Sequence, residues 1–361
     1  MIVQVCCFKN GTVNLTVADV MCVSVELETS DFQKIFKSMP LLTSVNLRFA
    51  GQMKDESLRC LTDSNIQIKH LCLDASNLVT DGCWLQLFQK AGKGLESLKL
   101  SNLDSSLGDD AVEEMCQNCT GLRRLKLKQC WKIGNGTLRA ISNLPELEHL
   151  SLDFINDTDV GTLLETVKKL GPKLRTLSLE GIPDADDALL QIIHDKCRYL
   201  RKLRLSGNAV FTDKGFANLF RGWANSPLDF ADLSSTRDVD YSNPDGPEEP
   251  TGLASEGFTS FMEHSGSTIE TLNIASCRHV SYKAFEKVFS GKKKYPRLRE
   301  LDVSFHTVMD DYLVNCIIRS CPSLKKLISF ACFNVRDVRV PMGLALIGGL
   351  KAQDPIILEG S

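Results

Sequence analysis

The frame Leu-x-x-Leu-x-Leu returns down this chain too often to leave the fold open. It reads Leu42-Val45-Leu47, Ile68-Leu71-Leu73, Leu95-Leu98-Leu100 and Leu122-Leu125-Leu127, then Leu147-Leu150-Leu152, Leu174-Leu177-Leu179 and Leu200-Leu203-Leu205. Leu228-Ala231-Leu233 is a degenerate copy, followed by Ile269-Leu272-Ile274, Leu298-Leu301-Val303 and a frayed Leu324-Leu327. Successive starts lie 25 to 29 residues apart, except for one step of 41. Such a period marks stacked units, each too small to bury its own apolar face.

The chemistry within one unit accounts for the period. The second and third frame residues are two apart, so a short strand turns both to the same face. Roughly a dozen residues after each frame start comes a helix-start signal: Thr80-Asp81, Asp109-Asp110, Thr158-Asp159, Thr212-Asp213 and Asp310-Asp311 are examples. Side-chain oxygens there accept from the free amides of the first turn, and negative charge suits the helix dipole. Amphipathic stretches follow, such as Trp84-Leu85-Leu87-Phe88 and Phe216-Leu219-Phe220. The fold class read from this pattern is α/β: a leucine-rich-repeat solenoid of about eleven strands, a right-handed βα horseshoe with a parallel concave sheet and helices outside.

Residues 1–24 do not match the frame and read as an irregular N-terminal segment. Residues 25–332 form the leucine-rich-repeat domain, and 333–361 a C-terminal cap in which Val338-Val340 and Leu344-Leu346-Ile347 alternate like short strands. The long step carries an insertion at 235–250, STRDVDYSNPDGPEEP. It is polar, acidic and proline-rich, with almost nothing to bury, so it reads as a surface loop whose deletion the solenoid tolerates.

A net charge of −3 provides no global basic field to hold nucleic acid through phosphates alone. No apolar run reaches the ~18 residues a membrane helix needs. The apolar start at 1–7 lacks a basic flank and a cleavage site, so no signal peptide is expected. Fourteen cysteines then indicate a reducing compartment. Cys116-x-x-Cys119 is half a zinc knuckle without a second pair of that spacing. Cys119, Cys197 and Cys321 precede frames, whereas Cys130, Cys277 and Cys332 follow strands, so these thiols read as small apolar repeat residues. No metal or cofactor is expected.

The acid pairs Asp109-Asp110, Asp186-Asp187 and Asp310-Asp311 read as helix caps, because acid–base work needs carboxylates facing across a cleft. The chain has no glycine-rich phosphate loop, nucleophile elbow or histidine ligand spacing. It reads as a binding protein and not as an enzyme.

Side chains flanking the second and third frame residues face the hollow. Lys99, Arg124, Lys126 and Lys128, with Lys202 and Arg204 further on, make the candidate partner-binding surface. His149, Ser151, Asp153, Thr176, Ser178 and Glu180 lie between them, and the two acids favour a protein partner over DNA. Closely spaced cations repel one another and contribute little to folding. Reversing Lys126 and Lys128 to glutamate is therefore expected to weaken binding and leave stability unchanged. Lys292, Lys293 and Lys294, with Arg297 and Arg299, read as a solvated helix end and loop.

Three stretches and one motif carry a family likeness: LLTSVNLRFAGQMKDESL at 41–58, LVTDGCWLQLF at 78–88, FNVRDVRVPMGLALIGGLKAQDPIIL at 333–358, and Cys-Pro-x-Leu at Cys321 to Leu324. Through them the chain resembles the fungal rad-seven type of DNA-repair protein, a cysteine-containing leucine-rich-repeat subunit of the global-genome nucleotide excision repair complex. F-box-associated leucine-rich proteins are more distantly similar. The resemblance implies a nuclear recognition subunit. Its partners would be a Swi/Snf-type ATPase with a ring finger and a cullin/elongin-C ubiquitin ligase, with damaged DNA met indirectly. Family members carry a long polar region with cysteine pairs ahead of the repeats, whereas here the frames begin almost at once. Two alternatives stand beside this reading: an F-box-type substrate receptor of another ubiquitin ligase, and a leucine-rich-repeat regulator or inhibitor of an enzyme.

Overall fold

Each of the eleven frames becomes a strand in the computed structural model, which describes residues 3–4, 17–21, 28–48, 51–64, 66–104, 106–155, 157–236 and 251–349. The chain divides into two compact units, Met1–Leu170 and Gly171–Ser361. The first runs β1 (Val3–Gln4), β2 (Val17–Met21), α1 (Thr29–Ser38), β3 (Ser44–Arg48), α2 (Asp55–Thr62), β4 (His70–Asp74) and α3 (Asp81–Ala91). It continues with β5 (Ser97–Leu103), α4 (Asp109–Asn118), β6 (Arg124–Cys130), α5 (Asn135–Ile141), β7 (His149–Asp153) and α6 (Val160–Leu170). β1 and β2 pair antiparallel, and from β2 to β7 each strand lies parallel to the next. The register keeps Val45, Leu71, Leu98, Leu125 and Leu150 side by side.

The second unit runs β8 (Thr176–Ser178), α7 (Asp187–Lys196), β9 (Lys202–Arg204), α8 (Asp213–Phe220), β10 (Phe230–Asp232) and α9 (Ser255–Ser265). It ends with β11 (Thr271–Asn273), α10 (Tyr282–Val288), β12 (Glu300–Asp302), α11 (Asp311–Ser320), β13 (Lys326–Ser329) and β14 (Ala345–Gly348). Its strands are parallel throughout, with Leu177, Leu203, Ala231, Leu272, Leu301, Leu327 and Leu346 in one row. In both units the frame residues are buried beneath the helices, as an alternating strand on a covered sheet requires.

The strands outnumber the frames. β2 and β14 lengthen the ladder beyond the eleven, because a strand needs only a neighbour to pair with and an apolar alternation, not the full leucine spacing. Residues 1–24 thus hold two short strands, and residues 338–340 form none, although their alternation predicts one.

The acid pairs divide their work between repeats, which departs from the expectation that each acid caps its own helix. Thr212 and Asp310 do cap their own, accepting from the amides of Gly215 (3.0 Å) and Leu313 (2.9 Å). The acid one place later reaches forward instead. Asp55 accepts from the amide (2.8 Å) and hydroxyl (2.7 Å) of Thr80, and Asp81 from the amide of Gly108 (3.0 Å). Asp109 accepts from the amides of Gly134 (2.7 Å), Gly136 (2.9 Å) and Thr137 (3.0 Å) and from the Thr137 hydroxyl (2.6 Å). Asp187 serves Thr212, and Asp213 serves Ala254, Glu256 and Gly257. The glycines in these turns make room: a Cβ on Gly136 would lie 2.5 Å from Oδ2 of Asp109.

In five repeats a second side chain ties the repeat to the strand before it. The Cys130 thiol donates to Leu100 O (3.8 Å), Asn208 Nδ2 to Leu179 O (2.8 Å), Cys277 to Leu233 O (3.1 Å) and Cys332 to Val303 O (3.2 Å). His306 Nε2 meets Ile274 O at 2.8 Å in the same position. These cysteines are buried as the pattern predicts, and each thiol in addition donates to a carbonyl of the preceding repeat. Burial pushes the Cys130 and Cys277 thiols up to about 12 and His306 down to about 4, so all three are neutral and the imidazole proton sits on Nε2.

Of the insertion, residues 237–250 lie outside the described residues. Its first two residues belong to the ladder. Ser235 N donates to Ala275 O (2.9 Å), and Thr236, 1% exposed, donates its hydroxyl to Leu233 O (3.0 Å) and accepts from Leu253 N (3.2 Å). Thr236 therefore pins both ends of the insertion. Deleting residues 238–249 is expected to leave cooperative urea unfolding intact, since loop closure depends weakly on length. Thr236→Val, which leaves the buried Leu253 amide without a partner while Leu233 O keeps the Cys277 thiol, should cost about 1.5 kcal/mol in the same measurement.

Candidate protein interface on the open sheet face

Helices cover one face of each sheet, and the other face is where side chains at alternate strand positions meet solvent. In the first unit Lys99 on β5 lies beside Lys126 on β6, and Ser97 and Ser101 lie beside Arg124 and Lys128. Neighbouring strands sit ~4.8 Å apart, so the four cations form one patch. Lys99 and Arg124 are exposed, and neither has an acidic partner among the described residues.

Lys126 and Lys128 differ from those two. The register sets Lys126 beside Ser151 and Lys128 beside Asp153. Lys126 Nζ lies 3.7 Å from Oδ2 of Asp153, a carboxylate with no exposed surface, which also accepts from the Ser151 hydroxyl at 2.6 Å. Lys128 Nζ sits over the Phe154 ring, 5.0 Å from its centroid. Asp153 is thus not on the open surface as its strand position predicts. Phe154 takes a left-handed turn (φ 55°) immediately after it, so the chain leaves the strand and the carboxylate lies beneath its neighbours. Part of the cationic repulsion expected in this patch is already relieved from within.

In the second unit Lys202 is exposed on β9, beside Thr176 and Phe230. Arg204 is held: its Nε lies 3.3 Å from Oδ2 of Asp232, and its guanidinium lies 5.2 Å from the centroid of the Phe230 ring. Ser97, Ser178 and Ser206, expected in the hollow, are buried. The arrangement supplies cations, hydroxyls and aromatic edges for recognition. Among the described residues no cluster of three or more His, Cys, Asp or Glu is placed to hold a metal ion, and no helix is long and apolar enough to cross a membrane. Burial pushes the Cys116 and Cys119 thiols up to about 12.

A Leucine Rich repeat family model matches residues 196–219, which run from the end of α7 into α8. The DNA repair protein rhp7 of Schizosaccharomyces pombe is 26% identical over 326 residues, 89% of this chain and 54% of that protein. The DNA repair protein RAD7 of Saccharomyces cerevisiae is 24% identical over 322 residues, 86% of this chain and 53% of its own length. The chain resembles the Rad7 type of DNA repair protein. It spans about half the length of these curated relatives. A crystal structure described as the complex of Rad7 and Elc1 in yeast has the same fold, with a TM-score of 0.72 at 19% identity over 93% of this chain and 81% of that one. The leucine-rich-repeat fold expected from the frame is thereby shown twice, by sequence and by shape.

Alternation along the strands was signal enough to place Lys99, Arg124 and Lys202 on the open face. It did not reveal that Asp153, Phe154, Phe230 and Asp232 brace the remaining cations, because those contacts join neighbouring repeats and depend on where each strand ends.

Proposed function

We propose that this chain is a non-catalytic protein-interaction scaffold, the recognition subunit of a nucleotide excision repair and ubiquitin-ligase complex. The observation that carries this reading is the likeness to rhp7 across 89% of the chain, which takes in nearly the whole ladder and not one repeat. The solved assembly of Rad7 with Elc1 supports a partner of the elongin-C type. The Swi/Snf-type ATPase with a ring finger, the cullin and the nuclear setting rest on the same resemblance. Lys99 and Arg124, and Lys202 in the second unit, are cations of the open face without an ion pair among the described residues, suited to an acidic segment of a protein partner.

Capture of partners from nuclei with the purified full chain tests this. An elongin-C-type protein and a ring-finger ATPase should be enriched; their absence, with a different ligase adaptor in their place, would overturn the assignment. Lys99→Glu with Arg124→Glu should weaken capture of one partner about tenfold and leave the melting temperature within about 1 °C. Lys126→Glu is no longer a clean binding probe. It faces the buried Asp153 carboxylate and should cost about 2 kcal/mol of stability by itself.

A further inference from the structure

The end of the second unit breaks the rule that the open face is polar. Along one cross-strand row the residues are Ser178, Arg204, Asp232, Asn273 and Asp302, and then Ile328 and Ile347. Two places along from Ile328 stands Phe330, 52% exposed, where the preceding repeats have Ser304, Ala275 and Ser234. Phe305, 44% exposed, donates its amide to Phe330 O at 2.8 Å, which fixes the two residues side by side. Phe333 and Met342 are 61% and 83% exposed. Large apolar side chains scattered singly need no explanation, but several within one stretch, two of them bonded neighbours, point to a recognition surface.

The rim of this patch identifies the occupant. Arg278, Arg336 and Arg339 are exposed, Lys326 is half-buried on β13, and none of their four cationic groups has an ion pair among the described residues, although the Arg336 amide donates to Asp311. Asp337 lies among them, Glu300 registers beside Lys326 and Asp302 beside Ile328, so Arg336 and Arg339 are the outermost cations of the patch. Aromatic, methionine and arginine side chains together are the composition of protein interfaces, where a phosphate backbone would call for a longer cationic track. Among the described residues β14 has a neighbour strand on one side only, β13, so its other edge offers amides and carbonyls to an added strand.

We propose that this end of the ladder is a docking surface for an extended segment of a partner protein bearing apolar and acidic side chains. Its apolar groups cover Phe305, Phe330 and Phe333, and its carboxylates pair with Arg336 and Arg339. Fluorescence anisotropy of the full chain with a labelled dodecapeptide of alternating leucine and glutamate tests the idea against the same peptide with lysine for glutamate. The acidic peptide should bind about tenfold more tightly. Phe330→Ser with Phe333→Ser should lower that affinity about tenfold, and Arg336→Glu with Arg339→Glu should reverse the preference between peptides. All four side chains are exposed, so thermal melting should show each variant folded. Equal binding of the two peptides overturns the proposal. So does tight binding of oligothymidine lost in the phenylalanine variant, which would make the patch a nucleic-acid platform. Self-association lost in that variant would make the occupant a second copy, and peptide binding seen only after removal of residues 350–361 would make it the chain's own end.

Discussion

Asp109→Ala is expected to lower stability by about 4 kcal/mol, because one carboxylate accepts four hydrogen bonds that nothing else in the fold replaces. The side chain sits at the first residue of α4, and its donors all lie at the start of α5. Truncation leaves three amides and a hydroxyl without a partner in a part-buried seam. Urea unfolding gives the total, and hydrogen exchange should show protection lost first at Gly136 and Thr137. Asp109→Asn keeps one acceptor oxygen and should cost about half as much. The pH dependence follows from the carboxyl's titration. Burial pushes it up, and the bonds from Thr137, Gly134 and Gly136 outweigh burial and hold it below the ordinary 3.8. A depressed folded value contributes stability that is fully present above the unfolded value and is lost as pH falls through the folded one. The gap between wild type and Asp109→Asn should therefore be constant near neutrality and close below about pH 4. A gap unchanged at pH 3 would refute the role given to the charge.

The second large effect is expected at Phe220. Its ring meets Phe261 edge-on at 5.1 Å and lies 6.5 Å from Phe216 and 6.1 Å from Trp223, in a cluster that joins α8 to α9. These are the helices on either side of the insertion. Phe220→Ala should cost about 4 kcal/mol, the usual result of an aromatic cavity in a close-packed core, whereas Phe220→Leu should cost about 1.5 kcal/mol. Trp223 fluorescence in a urea titration reads both. Equal costs for the two variants would mean that the neighbouring helix collapses onto the site and that the ring contacts are not what joins the pair.

The leucine frame was legible because it repeats a purely local property, the alternation of a strand. So were Thr212 and Asp310 as caps, since each serves the helix it precedes. What escaped the sequence were the side-chain interactions whose two halves lie one repeat apart. Asp81 and Asp187 look like first-turn acids of their own helices, and only the stacking shows that they serve the next. Cys130, Asn208, Cys277, His306 and Cys332 occupy one position, three residues past the strand alternation, and yet differ in chemistry. Read together as donors they are a repeat feature; read as cysteines alone they looked apolar. Asp153 misled for a related reason: alternation gives direction within a strand, and the left-handed residue that follows it ends the strand there.

The forward-reaching carboxylates give the repeats that carry them a direction, within each unit. A repeat deprived of its successor merely leaves an acid in water, where it is well solvated. A helix without a side-chain cap of its own, such as α5, starts with bare amides when its predecessor is gone. Growth by addition at the C-terminal side is thus the cheaper direction, and it is the direction of synthesis. A nascent chain of this kind finds the acceptor for such a helix already folded behind it.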